Sequence, residues 1–413
     1  MLDHWQNGEN KLYWRDVMDR LKIALVGAGR RGAGAHLPVI VQLADVFDFV
    51  AICDKDEETA QSLAAEHGVK AYTSVRDLVD NEDIDVADVV VPGVAHHAIC
   101  CFLAQAGVHQ VVETPIAMTR PASDMMIRAA RDAGVYLEVA ENYYRAPIER
   151  LKKKVLVSDV IGEIGRIYRI CHEGGYHGMS LLRVLAGGNP RQVIGLSHTT
   201  PVIPHIDRMK RHHELERWSL SFLEFDNDVA ALMVYSNVIH ARSLGRKQAG
   251  MDEIDGTAGS IVDGNVYVVP KDELETGAQG VAYKPVRVTE TVNGVNVLRE
   301  IRYELPGGAI AWENPYANYA LSEGQVAVAD ELLSIANAVR EDREPDYGAA
   351  MGRLDQEMSL AVNASIEADR ETIVFPLPDE TEVEHNIHRG FEERFLCAWD
   401  DVETLVDVFY PRS

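Results

Sequence analysis

Gly27, Gly29 and Gly32 stand in G-x-G-x-x-G spacing within Lys22-Ile-Ala-Leu-Val-Gly-Ala-Gly-Arg-Arg-Gly32. The first glycine permits a tight turn. The second lets backbone approach a pyrophosphate, and the third lets a helix pack closely on the preceding strand. That helix would aim its N-terminal N–H groups and positive dipole end at the phosphates. Asp54 follows 22 residues after Gly32, at the end of the next apolar run. A carboxylate there accepts hydrogen bonds from a ribose hydroxyl. Its charge would repel a 2′-phosphate and favours NAD, while Arg30, Arg31 and Lys55 nearby keep NADP open.

Such a loop needs strands and helices to hold it. Ile23 to Val26 reads as a buried parallel strand and Val46 to Cys53 as a second. Further strands are expected at Ala71-Tyr72, Val86 to Val91, Gln110 to Val112 and Val135 to Val139. They alternate with helices over 57–67, from the N-cap Ser74, over 96–107, and over 120–134 with Pro121 in its first turn. This alternation predicts an α/β fold with a doubly wound parallel sheet over 21–147. After Pro147 comes a basic helix, Ile148 to Val157, and then mainly strands: Arg166 to His172, a hairpin around Asp226-Asn-Asp228, and a strand pair within 253–262. Helices follow at 325–341 and 349–369. Residues 148–376 are therefore expected to form an α+β domain with a large, mostly antiparallel open sheet. A polar extension (1–20, with Trp5, Tyr13 and Trp14) precedes these domains. An acidic tail (377–413, one helix over 400–409) follows them.

The 413 residues are too many for one ordinary domain, and 46% hydrophobic residues suffice for substantial cores. A formal charge of -25 argues against nucleic acid as a partner. No apolar run approaches the roughly 20 residues that span a membrane. The N-terminus has no basic start and apolar core of a signal peptide, and the five cysteines include no C-x-x-C, so a cytoplasmic chain with reduced thiols is expected. His205-Ile-Asp-Arg-Met-Lys-Arg-His-His213 lacks helical i, i+4 histidine spacing and neighbouring cysteines. It is read as a cleft-lining loop whose cations would meet an acidic sugar, and no metal is expected. The aromatic pair Trp312 and Tyr316 leaves open sugar stacking, a subunit interface or local packing.

Ligands of doubly wound sheets lie outside the C-terminal strand ends. Four stretches fall there: Val91-Pro-Gly-Val-Ala-His-His97, Glu113-Thr-Pro115, Glu141-Asn-Tyr-Tyr-Arg-Ala-Pro147 and Glu173-Gly-Gly-Tyr-His-Gly-Met-Ser180. With the glycine loop they resemble the glucose–fructose oxidoreductase, inositol dehydrogenase and MocA (Gfo/Idh/MocA) family over about residues 21–376. Pro92 and His96 fit that family's T-P-x-x-x-H turn, with Val91 in the threonine place. Glu113 and Pro115 fit its E-K-P turn, with Thr114 in the lysine place. His177 fits the histidine of G-x-H-x-x-D, with Ser180 in the aspartate place. Arg145 and Pro147 stand one residue closer than in the family's R-x-x-P-like segment.

The resemblance implies a Rossmann domain, a carbohydrate substrate, and a homodimer or homotetramer built sheet to sheet. It assigns the cofactor to Gly27, Gly29, Arg30, Arg31, Gly32, Asp54, Lys55, Val91, Pro92, His96, Glu113, Thr114 and Asn142. The substrate falls to Tyr143, Arg145, His177 and Ser180. His177 is the expected base for a carbinol proton, since an imidazole titrates near neutrality. Thr114, Tyr144 and Tyr176 complete the expected catalytic set, a tyrosine phenol standing in for the missing lysine. The leading expectation is hydride transfer from a sugar, cyclitol or sugar acid to nicotinamide. Redox-neutral glycosidase, lyase or epimerase chemistry through transient oxidation stays open, as does a non-catalytic NAD-binding sensor or partner subunit.

Overall fold

The computed structural model describes residues 19–171, 175–207, 210–240, 243–245 and 251–412. The expected readings of Trp5, Tyr13, Trp14, Glu173 and Arg208 lie outside these. Strands β1 (Leu21–Val26), β2 (Phe47–Cys53), β3 (Lys70–Tyr72), β4 (Val86–Val89), β5 (His109–Val112) and β6 (Leu137–Val139) pair in parallel, in the order β3-β2-β1-β4-β5-β6. The apolar residues Ile23 to Val26 are wholly buried, as a parallel sheet covered on both faces requires. Helices α1 (Leu37–Gln42), α2 (Glu57–His67), α3 (Val75–Asn81), α4 (His96–Gln105) and α5 (Arg120–Ala133) make the connections. Asp56 and Ser74 cap α2 and α3 by accepting from Thr59 N and Asp77 N.

Helix α6 (Pro147–Leu156) leads into the second sheet. Its strands are β7 (Ile164–Cys171), β8 (Pro190–Ile206), β9 (His212–Phe225), β10 (Ala230–Ser236), β11 (Met251–Gly256), β12 (Gly259–Val262), β13 (Asn265–Val268), β14 (Val281–Tyr283) and the late β18 (Ile373–Val374). They are ordered β14-β13-β12-β11-β7-β10-β9-β8-β18, antiparallel except for β7 beside β10. Helix α7 (Tyr176–Ala186) joins β7 to β8, and the short α8 (Asn237–His240) follows β10. Strands β15 (Val286–Val292), β16 (Val295–Leu305) and β17 (Gly308–Glu313) form a separate three-stranded sheet.

The remaining helices, α9 (Val326–Glu341), α10 (Ala349–Glu367), α11 (Glu382–Phe395) and α12 (Val402–Phe409), depart from the expected division of the chain. Helix α9 belongs to the first sheet. Its Val328, Leu332 and Ile335 share one buried cluster with Ile23, Leu25, Ile40 and Val111. Helix α10 packs on α7 and β8 as well as on α5 and β6, and so ties the two sheets together. Residues 382–409 hold two helices rather than one, and they fold back onto the parallel-sheet domain. Leu405 of α12 and Phe391 of α11 bury against Ala98 of α4.

The expected loop at 205–213 is strand at both ends, with His205 opposite His213 and Ile206 opposite His212 in the β8–β9 ladder. His213 Nε2 lies 2.8 Å from Asp207 Oδ2. Trp312 and Tyr316 are packing residues. Trp312 is buried in β17, and the Tyr316 hydroxyl donates to Asp330. Among the described residues no helix is long and apolar enough to cross a membrane, and no group of three metal-ligating side chains occurs.

Candidate active site

The glycine loop follows β1 directly. Gly27 takes φ +95°, and a Cβ there would stand 2.4 Å from the Val90 carbonyl oxygen. A Cβ on Gly32 would stand 2.0 Å from the Gly27 oxygen, so the helix start presses against the turn. Around Gly29 nothing lies within 4 Å of such an atom. The loop is thus closed behind and open in front, the shape a pyrophosphate needs. At the end of β2, Asp54 Oδ2 accepts from Ala28 N at 2.7 Å and Oδ1 from Asp56 N at 2.9 Å. Each oxygen keeps a second lone pair for a ribose hydroxyl. Arg30, Lys55 and Pro92 are exposed around this loop, and Val91 is buried beneath it. These residues fit a dinucleotide: the loop for its phosphates, Asp54 for a ribose.

After the loop the chain makes one π turn, Gly32–His36, which carries His36 into the interior. Its Nδ1 lies 2.9 Å from Asp88 Oδ2 and its Nε2 lies 3.1 Å from Glu113 Oε1, with Glu331 Oε1 at 3.9 Å. Burial disfavours the imidazolium, but the surrounding carboxylates outweigh it and raise the pKa to about 10. Glu113 also pairs with Arg31. Burial opposes its ionisation, yet His36 and Arg31 hold it well below the usual carboxylate range. Glu331 is wholly buried, and neither of its carboxylate oxygens accepts a hydrogen bond. Burial pushes its pKa to about 8. Charged His36 and Arg31 balance the carboxylates of Asp88 and Glu113, and the cluster is neutral when Glu331 keeps its proton.

Glu113 continues from this cluster toward Thr114 and His177. Its Oε2 accepts from Thr114 N at 2.9 Å, and Thr114 Oγ1 lies 3.3 Å from His177 Nε2. The Nδ1 of His177 lies 2.9 Å from Oε2 of Glu141, which is buried just beyond β6. A carboxylate only accepts, so Nδ1 carries the proton and Nε2 offers its lone pair. Burial lowers the pKa of His177, while the Glu141 charge and hydrogen bond outweigh burial and leave it above the ordinary histidine value. The His177 side chain is 31% exposed. The Tyr143 ring stands 4.3 Å from it, centroid to centroid. An open cleft of about 440 Å3 adjoins Tyr143 and is lined also by Asn142, Ala146, Glu149, Arg169, Leu181, Glu323, Gly324 and Ala327.

The structure therefore brings together Arg31, Glu113, Thr114, Asn142, Tyr143 and His177. Five other expected site residues face elsewhere. Tyr144 is buried against the Tyr347 ring with its hydroxyl unpartnered, and the guanidinium of Arg150 lies over its ring. Tyr176 is buried with its hydroxyl 3.5 Å from that of Tyr347. Arg145 is wholly buried in ion pairs with Glu138 and, at 3.0 Å, with Asp330, so it holds elements together instead of meeting substrate. His96 is wholly buried and bridges the carbonyls of Val91 (2.9 Å) and Pro115 (2.8 Å), tying two strand-end turns to each other. Ser180 is buried and donates to the His177 carbonyl at 3.0 Å. Sequence reasoning missed Glu141 as the partner of His177, although an acidic residue at a strand's C-terminal end was visible. It also missed His36, Asp88 and Glu331. An aspartate inside the apolar run Val86-Ala-Asp-Val89 was their one signal.

The model of an oxidoreductase family with an NAD-binding Rossmann fold, GFO_IDH_MocA, matches residues 21–141. Levoglucosan dehydrogenase of Pseudarthrobacter phenanthrenivorans is 32% identical over 154 residues, 36% of this chain and 40% of that one. D-glucoside 3-dehydrogenase of Escherichia coli is 28% identical over 181 residues, 43% of this chain and 51% of that one. These alignments thus span about half or less of the curated relatives. In three dimensions the chain is similar to levoglucosan dehydrogenase in complex with NADH and levoglucosan, with TM-score 0.64, 20% identity, and coverage of 87% of this chain and 100% of that one. It is equally similar to an NAD binding oxidoreductase from Klebsiella pneumoniae, with TM-score 0.64, 22% identity, and 86% and 99% coverage. The glycine loop, the carboxylate ending β2 and the matched model agree: residues 21–141 match the model of the GFO_IDH_MocA oxidoreductase family, with its NAD-binding Rossmann fold.

Proposed function

We propose that the protein is an NAD-dependent dehydrogenase that oxidises a carbinol carbon of a sugar, cyclitol or sugar acid. The observation that carries this reading is the line Glu141, His177, Thr114 at the strand ends beside the cleft. Bound NAD supplies a two-electron acceptor for the hydride. Glu141 fixes the His177 ring and stabilises its charged form. His177 Nε2 takes the hydroxyl proton of the substrate, and the Thr114 hydroxyl orients that oxygen. Tyr143 gives the sugar ring an aromatic wall. The names of the sugar dehydrogenases it resembles support the substrate class.

A redox-neutral reaction through transient oxidation is the second reading. It is favoured by Thr114, a neutral hydroxyl at the place that carries a lysine in the resembled family. We also propose a homodimer or homotetramer through the open face of the large sheet, where Trp218 and Phe222 of β9 are exposed. A Phe222→Asp variant of unchanged mass in analytical ultracentrifugation would refute that face.

The test of function mixes the protein with NAD and a panel of sugars, inositols and uronic acids, followed by absorbance and NMR. NADH formed with one substrate establishes the dehydrogenase. An altered sugar without NADH selects the redox-neutral reading. His177→Ala is expected to lower turnover about 100-fold or more, and unchanged turnover would remove His177 from the chemistry.

A further inference from the structure

The matched family segment, residues 21–141, ends long before helices α11 and α12, which bury against its α4. Asp54 marks where a ribose binds and the Gly27–Gly32 loop where phosphates bind, so the adenosine half lies beyond Asp54. Three walls of that space come from the parallel-sheet domain: the end of β2, the Val91–Ala95 turn after β4, and the start of α3. The far end of the chain packs against two of these elements. Helix α12 packs on α4 and on the Gly93–Ala95 turn. His97 Nε2 bonds the Trp399 carbonyl at 2.7 Å just before it. Arg76, in the first turn of α3, donates to Glu403 O and Glu403 Oε2 at 2.8 Å and to Asp407 Oδ1 at 2.9 Å. Arg412 reaches Asp80 at 2.6 Å. Between these clamps Tyr410 is 5% exposed and belongs to the same buried cluster as Cys53, the last residue of β2, and Val91.

We propose that residues 402–412 form the outer wall of the adenosine end of the cofactor crevice, with Tyr410 as a positioning residue packed at the end of β2, where Asp54 follows Cys53. Two clamps on α3 and a packed face on α4 fix the wall, and the buried Tyr410 ring supports the strand end that precedes Asp54. The segment completes a site begun some 350 residues earlier in the sequence. The inference rests on NAD occupying the crevice of the glycine loop.

Binding of 1,N6-etheno-NAD+, whose fluorescence reports the adenine, tests it without turnover. The wild type is expected to bind the probe and shield it from iodide quenching. Tyr410→Ala should weaken binding about tenfold, the loss of one well-packed contact, and restore iodide access. A double variant, Glu403→Arg with Asp407→Arg, should do the same. Its side chains are 68% and 53% exposed, so it leaves the core intact should Tyr410→Ala fail to fold. Affinity for nicotinamide mononucleotide, which lacks adenosine, should not change in either variant. Wild-type affinity and shielding in the double variant would overturn the wall, as would equal loss of mononucleotide affinity. A wild type that does not bind the probe would overturn the cofactor reading itself.

Discussion

Replacing Glu331 by glutamine removes one titratable group from a cluster centred on the wholly buried His36. Glu331 is wholly buried, its two oxygens lack hydrogen-bond donors, and burial raises its pKa from the ordinary 4.5 to about 8. The folded state therefore holds this proton more tightly than the unfolded chain. Stability from this group is fully present below pH 4.5 and is lost as pH rises toward 8. At about 1.36 kcal/mol per pH unit the full interval sets an upper bound of about 5 kcal/mol, and relaxation of the site brings the expectation to about 2–3 kcal/mol. Glutamine mimics the protonated acid in shape and has no proton to lose. Urea unfolding of both proteins at about pH 5, 6.5 and 8 should show near-equal stability at the lowest pH. A growing advantage for Glu331→Gln should follow at the higher values. A difference that stays flat with pH, or a variant weaker at pH 8, would refute the reasoning. It would mean that Glu331 is ionised and contributes a true ion pair to His36 across 3.9 Å.

Glu141→Gln should lower kcat about tenfold or more and move the acid limb of the pH profile downward. The lost carboxylate no longer raises the His177 pKa, while burial still lowers it. An unmoved limb would assign that limb to another group. Arg145→Leu should cost about 3 kcal/mol of stability by stranding Glu138 in the interior, read as a lower urea midpoint. An unchanged midpoint with a raised substrate KM would instead return Arg145 to the substrate site.

The parallel-sheet domain was legible because its signals are local. An apolar run, a turn and a capped helix recur within some 30 residues, and the expected helix 57–67 coincides with α2. The glycine loop was legible for the same reason, since its three glycines serve one turn. Adjacent tyrosines were not separable. Tyr143 faces His177 and Tyr144 faces Tyr347, and side-chain direction there depends on a loop without periodicity. The His36 cluster joins residues 52 and 77 positions apart, which no window contains. Helix α11 was hidden by its acidic composition, yet Thr381 and Glu384 form a capping box at its start that the sequence displays. The histidine-rich stretch 205–213 read as loop because its residues are polar, and the long β8–β9 ladder overrode that local preference.

The placement of α9 bears on the order in which the chain is made. One face of the first sheet, with Ile23, Leu25 and Val111, packs together with Ile40 of α1 against Leu321 and Val328, Leu332 and Ile335 of α9. A ribosome has added about 300 further residues after Ile23 before that cover emerges. The cofactor domain therefore comes first in synthesis and is sealed near the end, with an apolar face awaiting its partner in between. A fragment ending near residue 150 keeps every strand of the parallel sheet and lacks its lid, and it should precipitate or recruit chaperones where the full chain does not.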